Sequence, residues 1–259
     1  MFMLNKKILT VLVIVLLVII VIVARYIFEN KETVPQSYQS SDSFDTTKEN
    51  LTNNSNLSIN KIPKYIGRPL DEVIFGKGFT NPGDDIVEKK RGDLKVLAAV
   101  LNASPMGNAG VDDWIAVGVI KKFFNDYEGV RDVWEYAGVL YPDNALSFAN
   151  LGNLYAFYLH NNVKAELNFK KAIKNDPYQP SYYLGFADFY KNVYTEKKAE
   201  APKILLDGIK VIKDVNLVLS LATYYRDTGD KANALKYYEE ILKMEPNAAG
   251  IQDEINRSR

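Results

Sequence analysis

The sequence predicts an all-α protein: an α-solenoid of about four helical hairpins, preceded by an N-terminal transmembrane helix and a flexible linker. The first observation is periodicity. Between residues 215 and 248, apolar residues recur every three or four positions in two stretches, as they do on one face of a helix. The second is repetition, because the same pattern returns three times upstream. A single hairpin cannot bury its apolar face alone, so its copies stack into a solenoid.

Residues 1–29 have the composition of a membrane anchor. The 17 residues from Ile8 to Ala24 are apolar except for Thr10. Extending this helix through Phe28 gives a length of roughly 32 Å, which is enough to cross a bilayer. A cleaved signal peptide is the alternative, but the Ile-Val-Ala sequence at 22–24 fits a small-x-small cleavage site poorly. We therefore expect an uncleaved, single-pass anchor.

The orientation of this anchor depends on the charges that flank it. Lys6 and Lys7 precede the apolar stretch, and Arg25 and Lys31 follow it, so the positive charges are nearly balanced. Because the N-terminal tail is short, we expect the N-terminus in the cytoplasm and the repeats outside it.

Two segments separate the anchor from the repeats. Residues 30–60 are rich in Ser, Thr and Asn and contain few apolar residues, which predicts a disordered linker. Residues 61–110 form a lead-in segment, with a short helix expected over Pro69–Phe75 and a capping helix over Asp93–Asn102. That second helix would cover the exposed face of the first hairpin. The Gly-Lys-Gly sequence at 76–78 is not a phosphate-binding loop, because no Gly-Lys-Ser/Thr follows at the required spacing.

The hairpins span residues 111–144, 145–179, 180–214 and 215–248, and residues 249–259 form a polar C-terminal cap. In the last hairpin, large residues stand at Val218, Leu221, Tyr225 and Tyr238, small ones at Ala222 and Ala234, glycine at Gly229 and proline at Pro246. The matching upstream residues include Trp114, Val117, Gly118, Trp134, Ala137 and Pro142, then Phe148, Leu151, Gly152, Tyr155, Ala165, Phe169, Ala172 and Pro177, then Tyr183, Phe186, Ala187, Tyr190, Ala201, Leu205 and Gly208. The first hairpin departs from the frame at Lys121 and Val130, and the third has a longer turn. In this spacing the array resembles the tetratricopeptide repeat.

That resemblance implies a binding groove. In tetratricopeptide arrays the first helix of each hairpin lines the concave side, which takes an extended peptide or a helix of a partner protein. Carried over by repeat position, the partner-binding residues are Val119, Lys122, Phe123, Asn153, Phe157, Asp188, Lys191, Asn192, Thr223 and Arg226. Alternatively, Phe123 and Phe157 serve only to pack the repeats together. A chaperone-type carboxylate clamp is not expected, because Ile115, Ala149, Ser181 and Gly185 stand where the clamp needs basic residues.

Composition argues against catalysis and against nucleic-acid binding. The chain has no cysteine, and its single histidine, His160, falls in a hairpin turn without a carboxylate at a suitable spacing. We therefore expect no catalytic residue, no metal site and no cofactor, so the chain is not an enzyme. Residues 111–259 carry 19 Lys and Arg against 21 Asp and Glu, and a nucleic-acid binder would show a basic face instead.

The predicted function is a membrane-anchored scaffold or assembly factor that binds other proteins through the groove. Two alternatives remain open at this point: a structural protein that self-associates, and a regulatory subunit of an envelope enzyme complex.

Overall fold

The structure, a computed structural model, describes residues 62–106 and 110–258. The predicted anchor and linker lie outside these residues. The described part is helical and has no strand. Its helices are α1 (Asp84–Ala103), α2 (Val111–Phe123), α3 (Tyr127–Leu140), α4 (Ala145–Phe157), α5 (Asn162–Asn175), α6 (Pro180–Asn192), α7 (Ala201–Val211), α8 (Val215–Asp227), α9 (Lys231–Met244) and α10 (Ile251–Ser258).

Helices α2 to α9 pack as four consecutive hairpins, and each hairpin also contacts the next along the chain. The two helices of a hairpin meet where a small residue faces a large aromatic one. A Cβ atom on Gly118 would lie 1.9 Å from Nε1 of Trp134, and one on Gly152 would lie 2.8 Å from Cδ1 of Phe169. Only glycine allows so close an approach. Both aromatic side chains are buried in one continuous apolar core.

The turn inside a hairpin requires one residue in the left-handed region of backbone space. Asn125 (φ 60°), His160 (φ 51°) and Gly229 (φ 80°) occupy it in the first, second and fourth hairpins. Glycine adopts this conformation without strain, and asparagine tolerates it better than most residues. A side-chain N-cap then starts the second helix, as Asp126 does for α3 by accepting a hydrogen bond from Gly129 N at 3.0 Å.

The third hairpin is built differently at its turn. A 3₁₀ segment, Thr195–Glu200, stands between α6 and α7, and α7 is only 11 residues long. Pro202 lies in the first turn of α7, where proline is tolerated because those N–H groups have no partner within the helix.

The lead-in segment differs from the sequence-based expectation in two ways. The helix expected over Pro69–Phe75 is wrong: a single turn, in which Glu72 N donates to Pro69 O at 3.2 Å, is followed by chain without regular secondary structure. The helix expected over Asp93–Asn102 instead begins at Asp84, because Val87 extends the buried stripe of Leu94, Ala98 and Leu101 by two turns. This helix, α1, packs on α2.

The C-terminal residues complete the stack. Helix α10 packs on α9 and buries Ile251 and Ile255. Arg226 of α8 reaches Glu254 of α10 with an NH1 to Oε2 distance of 3.4 Å.

Across residues 62–106 and 110–258, no helix combines the length and the apolar character needed to cross a membrane.

Candidate partner-binding face and the strap over the first hairpin

The first helices of the hairpins, α2, α4, α6 and α8, carry the residues predicted to bind a partner. Helix α6 contacts both α4 and α8, so three of these helices form a continuous layer. We call the exposed side of this layer, together with the corresponding side of α2, the first-helix face. Among the predicted residues, Val119, Phe157, Asp188, Asn192 and Arg226 are exposed, and Lys122, Phe123, Asn153, Lys191 and Thr223 are half-buried.

Large apolar side chains on this face meet solvent. Val119 is 52% exposed, and Phe157 and Leu219 are each 37% exposed. Ala149 and Ala156 also stand at groove-facing repeat positions on α4, but both are buried and belong to the core. The apolar part of the face therefore consists of separate side chains on α2, α4 and α8.

The polar residues of the face are partly engaged within the chain. Asn153 Nδ2 donates to Ala149 O at 3.1 Å, and the Asn192 amide donates to the carboxylate of Asp188. Arg226 donates to Asp227 Oδ1 from both Nε (3.0 Å) and NH2 (2.9 Å).

The two lysines of the face differ. Lys122 Nζ lies 4.5 Å from the ring centroid of Tyr158, a cation–π contact with the next hairpin. Lys191, in contrast, makes no ion pair with any residue in the described ranges. A partner can therefore pair with Lys191 without first breaking an internal ion pair.

Phe123 and Phe157 have different surroundings. The Phe123 ring contacts Phe124 at 4.9 Å and Phe79 of the lead-in segment at 6.0 Å, centroid to centroid. Phe157 makes no ring contact with another aromatic residue of the described chain. Phe123 is therefore partly covered by the lead-in segment, whereas Phe157 remains available at the surface.

The lead-in segment forms a strap, residues 62–82, that crosses the first hairpin. Its central part is fixed by Lys121, whose Nζ donates to Pro69 O at 3.1 Å and to Glu72 O at 2.9 Å. Arg68 adds a bond from NH1 to Asp126 Oδ1 at 2.6 Å, and its backbone N–H donates to Asp132 Oδ2 at 3.1 Å. The central part of the strap is therefore held through charged groups.

Lys121 and Asp126 form a buried pair beneath the strap. Each side chain is 1% exposed, and Lys121 Nζ lies 3.6 Å from Asp126 Oδ2. Burial lowers the pKa of Lys121, and the neighbouring carboxylates of Asp126 and Glu72 oppose that shift. This pair explains why the first hairpin departs from the repeat pattern at Lys121: the residue bonds the strap instead of filling the core.

The aromatic end of the strap covers the turn between α2 and α3. We call residues 75–79 the flap. Gly76 N donates to Phe124 O at 2.8 Å, and the rings of Phe75 and Phe79 lie 5.4 and 5.8 Å from that of Phe124. Phe124 is only 1% exposed as a result. The strap was not predicted from the sequence, although Lys121, at a position where the repeat has a large apolar residue, was a signal for it.

Polar clusters also join consecutive hairpins. The Tyr155 hydroxyl of α4 donates to the Glu135 carboxylate of α3, and Lys164 of α5 donates to Glu135 Oε1 and to the Tyr155 hydroxyl, each at 3.0 Å. Burial, with the hydrogen bond to Glu135, raises the pKa of Tyr155 to about 12. Glu166 of α5 accepts from Lys197 Nζ at 2.7 Å, across to the third hairpin. These clusters fix the relative position of neighbouring hairpins.

Within the described ranges, no group of His, Cys, Asp and Glu residues has an arrangement that suits a metal ion. His160 is exposed in its turn.

Comparison with known proteins gives information on the fold alone. No protein-family model matches the chain, and no curated protein matches it. Among solved structures, MamA is similar with a TM-score of 0.51 and 18% identity, over 66% of this chain and 98% of that one. A tetratricopeptide repeat protein from Parabacteroides merdae is similar with a TM-score of 0.51 and 14% identity, over 68% of each chain. The described chain thus has a tetratricopeptide-like, all-helical fold, which confirms that part of the prediction.

Proposed function

We propose that this chain is a membrane-anchored scaffold or assembly factor that binds a peptide or helix of a partner protein on the first-helix face. The proposal depends mainly on three apolar side chains that are exposed on that face: Val119, Phe157 and Leu219. Lys191 lies on α6, which packs between the helices that carry Phe157 and Leu219. Separate apolar anchors with polar groups between them suit a bound segment, which fills pockets with a few side chains and pairs its remaining polar groups. A solenoid of stacked repeats provides such an extended surface.

The predicted anchor and linker give this binding a location. A disordered linker of about 30 residues has an end-to-end distance of roughly 30 Å, so the repeats would stay close to the bilayer. Tethering raises the effective concentration of partners in the same membrane, and modest affinity then suffices. The proposed arrangement is a single-pass protein with a cytoplasmic N-terminus and extracytoplasmic repeats. If alkaline carbonate, which strips proteins held to a membrane only by other proteins, releases the full chain from membranes, the anchor proposal fails.

The test of partner binding is crosslinked affinity purification from native membranes with matched variants. The binding variant is Phe157→Ala with Lys191→Glu, which removes one exposed ring and reverses the charge of Lys191. The control is Leu167→Ala with Lys174→Glu, which makes similar changes at exposed residues of α5, a second helix. Both variants must match the wild type in helical content by circular dichroism.

A protein that is recovered with the wild type and the control but lost with the binding variant supports the proposal. Recovery of the same proteins with all three chains refutes binding at these residues. Sedimentation over a range of concentrations separates this function from self-association, because a scaffold that binds other proteins in its groove remains a monomer.

A further inference from the structure

The strap consists of two parts that are held in different ways. Its central part, from Arg68 to Glu72, is fixed by the charged groups of Lys121, Asp126 and Asp132, and Leu70 there is 3% exposed. The flap has no charged contact with the turn that it covers: it uses rings and two backbone groups. Besides the Gly76 bond, Asn125 Nδ2 donates to Lys77 O at 3.3 Å. Phe75 remains 46% exposed, and Lys77 and Gly78 are exposed as well.

The flap occupies its site as a bound peptide would. It forms a single turn, in which Phe79 N donates to Gly76 O at 3.1 Å, and its Gly76 N–H donates to the backbone oxygen of Phe124. This turn places two rings four residues apart against Phe124. Phe79 also contacts Phe123, one of the residues predicted to bind a partner on the first-helix face. The surface beneath the flap is therefore continuous with that face.

We infer that the flap is an autoinhibitory segment, which holds closed a second binding site at the α2–α3 turn. The site is formed by Phe123, Phe124 and Asn125, and it takes a partner segment that turns between two aromatic side chains four residues apart. The inference rests on the proposed function, because it assumes that the array binds partner segments. The flap competes with the partner segment for this site from within the chain, at high effective concentration. A partner must therefore bind tightly enough to displace the flap.

The close fit of Gly76 provides a way to open the site. A Cβ atom on this residue would lie 2.1 Å from the backbone oxygen of Asn125, which is closer than any real contact. Gly76→Val therefore expels the flap sterically and leaves the residues of the site intact. Lys77→Ala is the matched control, since that side chain is exposed and its backbone bond is kept.

The probe is a fluorescein-labelled peptide of residues 72–81, whose binding to the full chain is followed by fluorescence anisotropy. We expect at least tenfold tighter binding to Gly76→Val than to the wild type or Lys77→Ala. Adding Phe123→Ala to Gly76→Val should weaken that binding. Any of three results overturns the inference. The first is equal binding of the peptide to the wild type and to Gly76→Val, the second is no binding to a folded Gly76→Val chain, and the third is binding that Phe123→Ala leaves unchanged.

Hydrogen exchange of the wild type tests the same idea without a variant. A flap that opens on its own exposes the Gly76 amide at least tenfold more often than the amide of Tyr155 in α4. Equal protection of the two amides refutes an opening flap, even if Gly76→Val fails to fold. The peptide does not contact Phe157, so failure here leaves the affinity purification with the Phe157 variant unaffected. The two proposals can therefore fail separately.

Discussion

Replacing Lys121 with methionine tests whether the strap is held by its buried charges. Methionine has nearly the same length and helix propensity, so the change removes the ammonium group with little change in packing. Two strap carbonyls, those of Pro69 and Glu72, lose their donor. Asp126 Oδ2, which has no hydrogen-bond partner among the described residues, loses the cation 3.6 Å away.

The expected cost follows from these three losses. A hydrogen bond from a charged donor contributes roughly 1.5–3 kcal/mol, and removing one member of a buried pair costs about 3–5 kcal/mol. Two effects reduce the sum. The buried ammonium no longer has to be desolvated, and Asp126 keeps its hydrogen bonds from Arg68 and Gly129. We expect Lys121→Met to lower the free energy of unfolding by about 2–4 kcal/mol.

The assay is urea denaturation followed by circular dichroism, with Asp126→Asn and the double variant completing a cycle. Asparagine keeps the N-cap of α3 through its Oδ1 and removes the negative charge, with Nδ2 in place of the oxygen that faces Lys121. We expect the double variant to be at least about 1 kcal/mol more stable than the sum of the single changes predicts, because neither charge is then left alone. If Lys121→Met unfolds within about 0.5 kcal/mol of the wild type, or if the two changes are additive, the buried pair does not hold the strap.

Two further predictions concern the repeats. Gly118→Ala places a Cβ 1.9 Å from Trp134, so we expect the free energy of unfolding to fall by about 2–4 kcal/mol. In contrast, a Cβ at Gly92 in α1 meets no atom within 4 Å, so Gly92→Ala should raise the free energy of unfolding by about 0.5–1 kcal/mol. Equal melting temperatures for the two variants would contradict this. Burial opposes ionisation of Glu166, but hydrogen bonds from Lys170 and Lys197 outweigh it and hold the pKa below its usual value of 4.5. The resulting stability is present above pH 4.5 and is lost as the pH falls through the lower, folded-state pKa. Glu166→Gln should therefore cost roughly 1 kcal/mol at pH 7 and little below that pKa, and a cost independent of pH would refute the assignment.

Periodicity made the hairpins predictable from the sequence. Small residues such as Gly118 and Gly152 are needed where helices approach closely, and aromatic residues such as Trp134 and Phe169 fill the space opposite them. These requirements act between residues only tens of positions apart, in a frame that recurs along the chain. The residues that form the tertiary contacts between helices are therefore part of the repeating pattern itself. This is why the all-helical, tetratricopeptide-like fold could be predicted from the sequence.

The candidate site was predictable only in part. Repeat positions gave Val119 and Phe157, which the fold exposes, but the same rule also gave Phe123, which Phe79 covers. Position within a repeat specifies which helix a residue belongs to and which side of it the residue faces. It says nothing about a segment from elsewhere in the chain that lies on top.

The sequence by itself determined the all-helical class, the repeat frame and the absence of cysteine chemistry, because each depends on composition or short-range spacing. It also predicts the anchor over residues 1–29, which lies outside the described structure. Only the tertiary structure decided the path of residues 62–82 and the role of Lys121. A single lysine among apolar neighbours does not indicate which carbonyls it will meet, since Pro69 and Glu72 lie about fifty residues away in the chain. Contacts at that separation follow no period, so they emerge only when the chain folds.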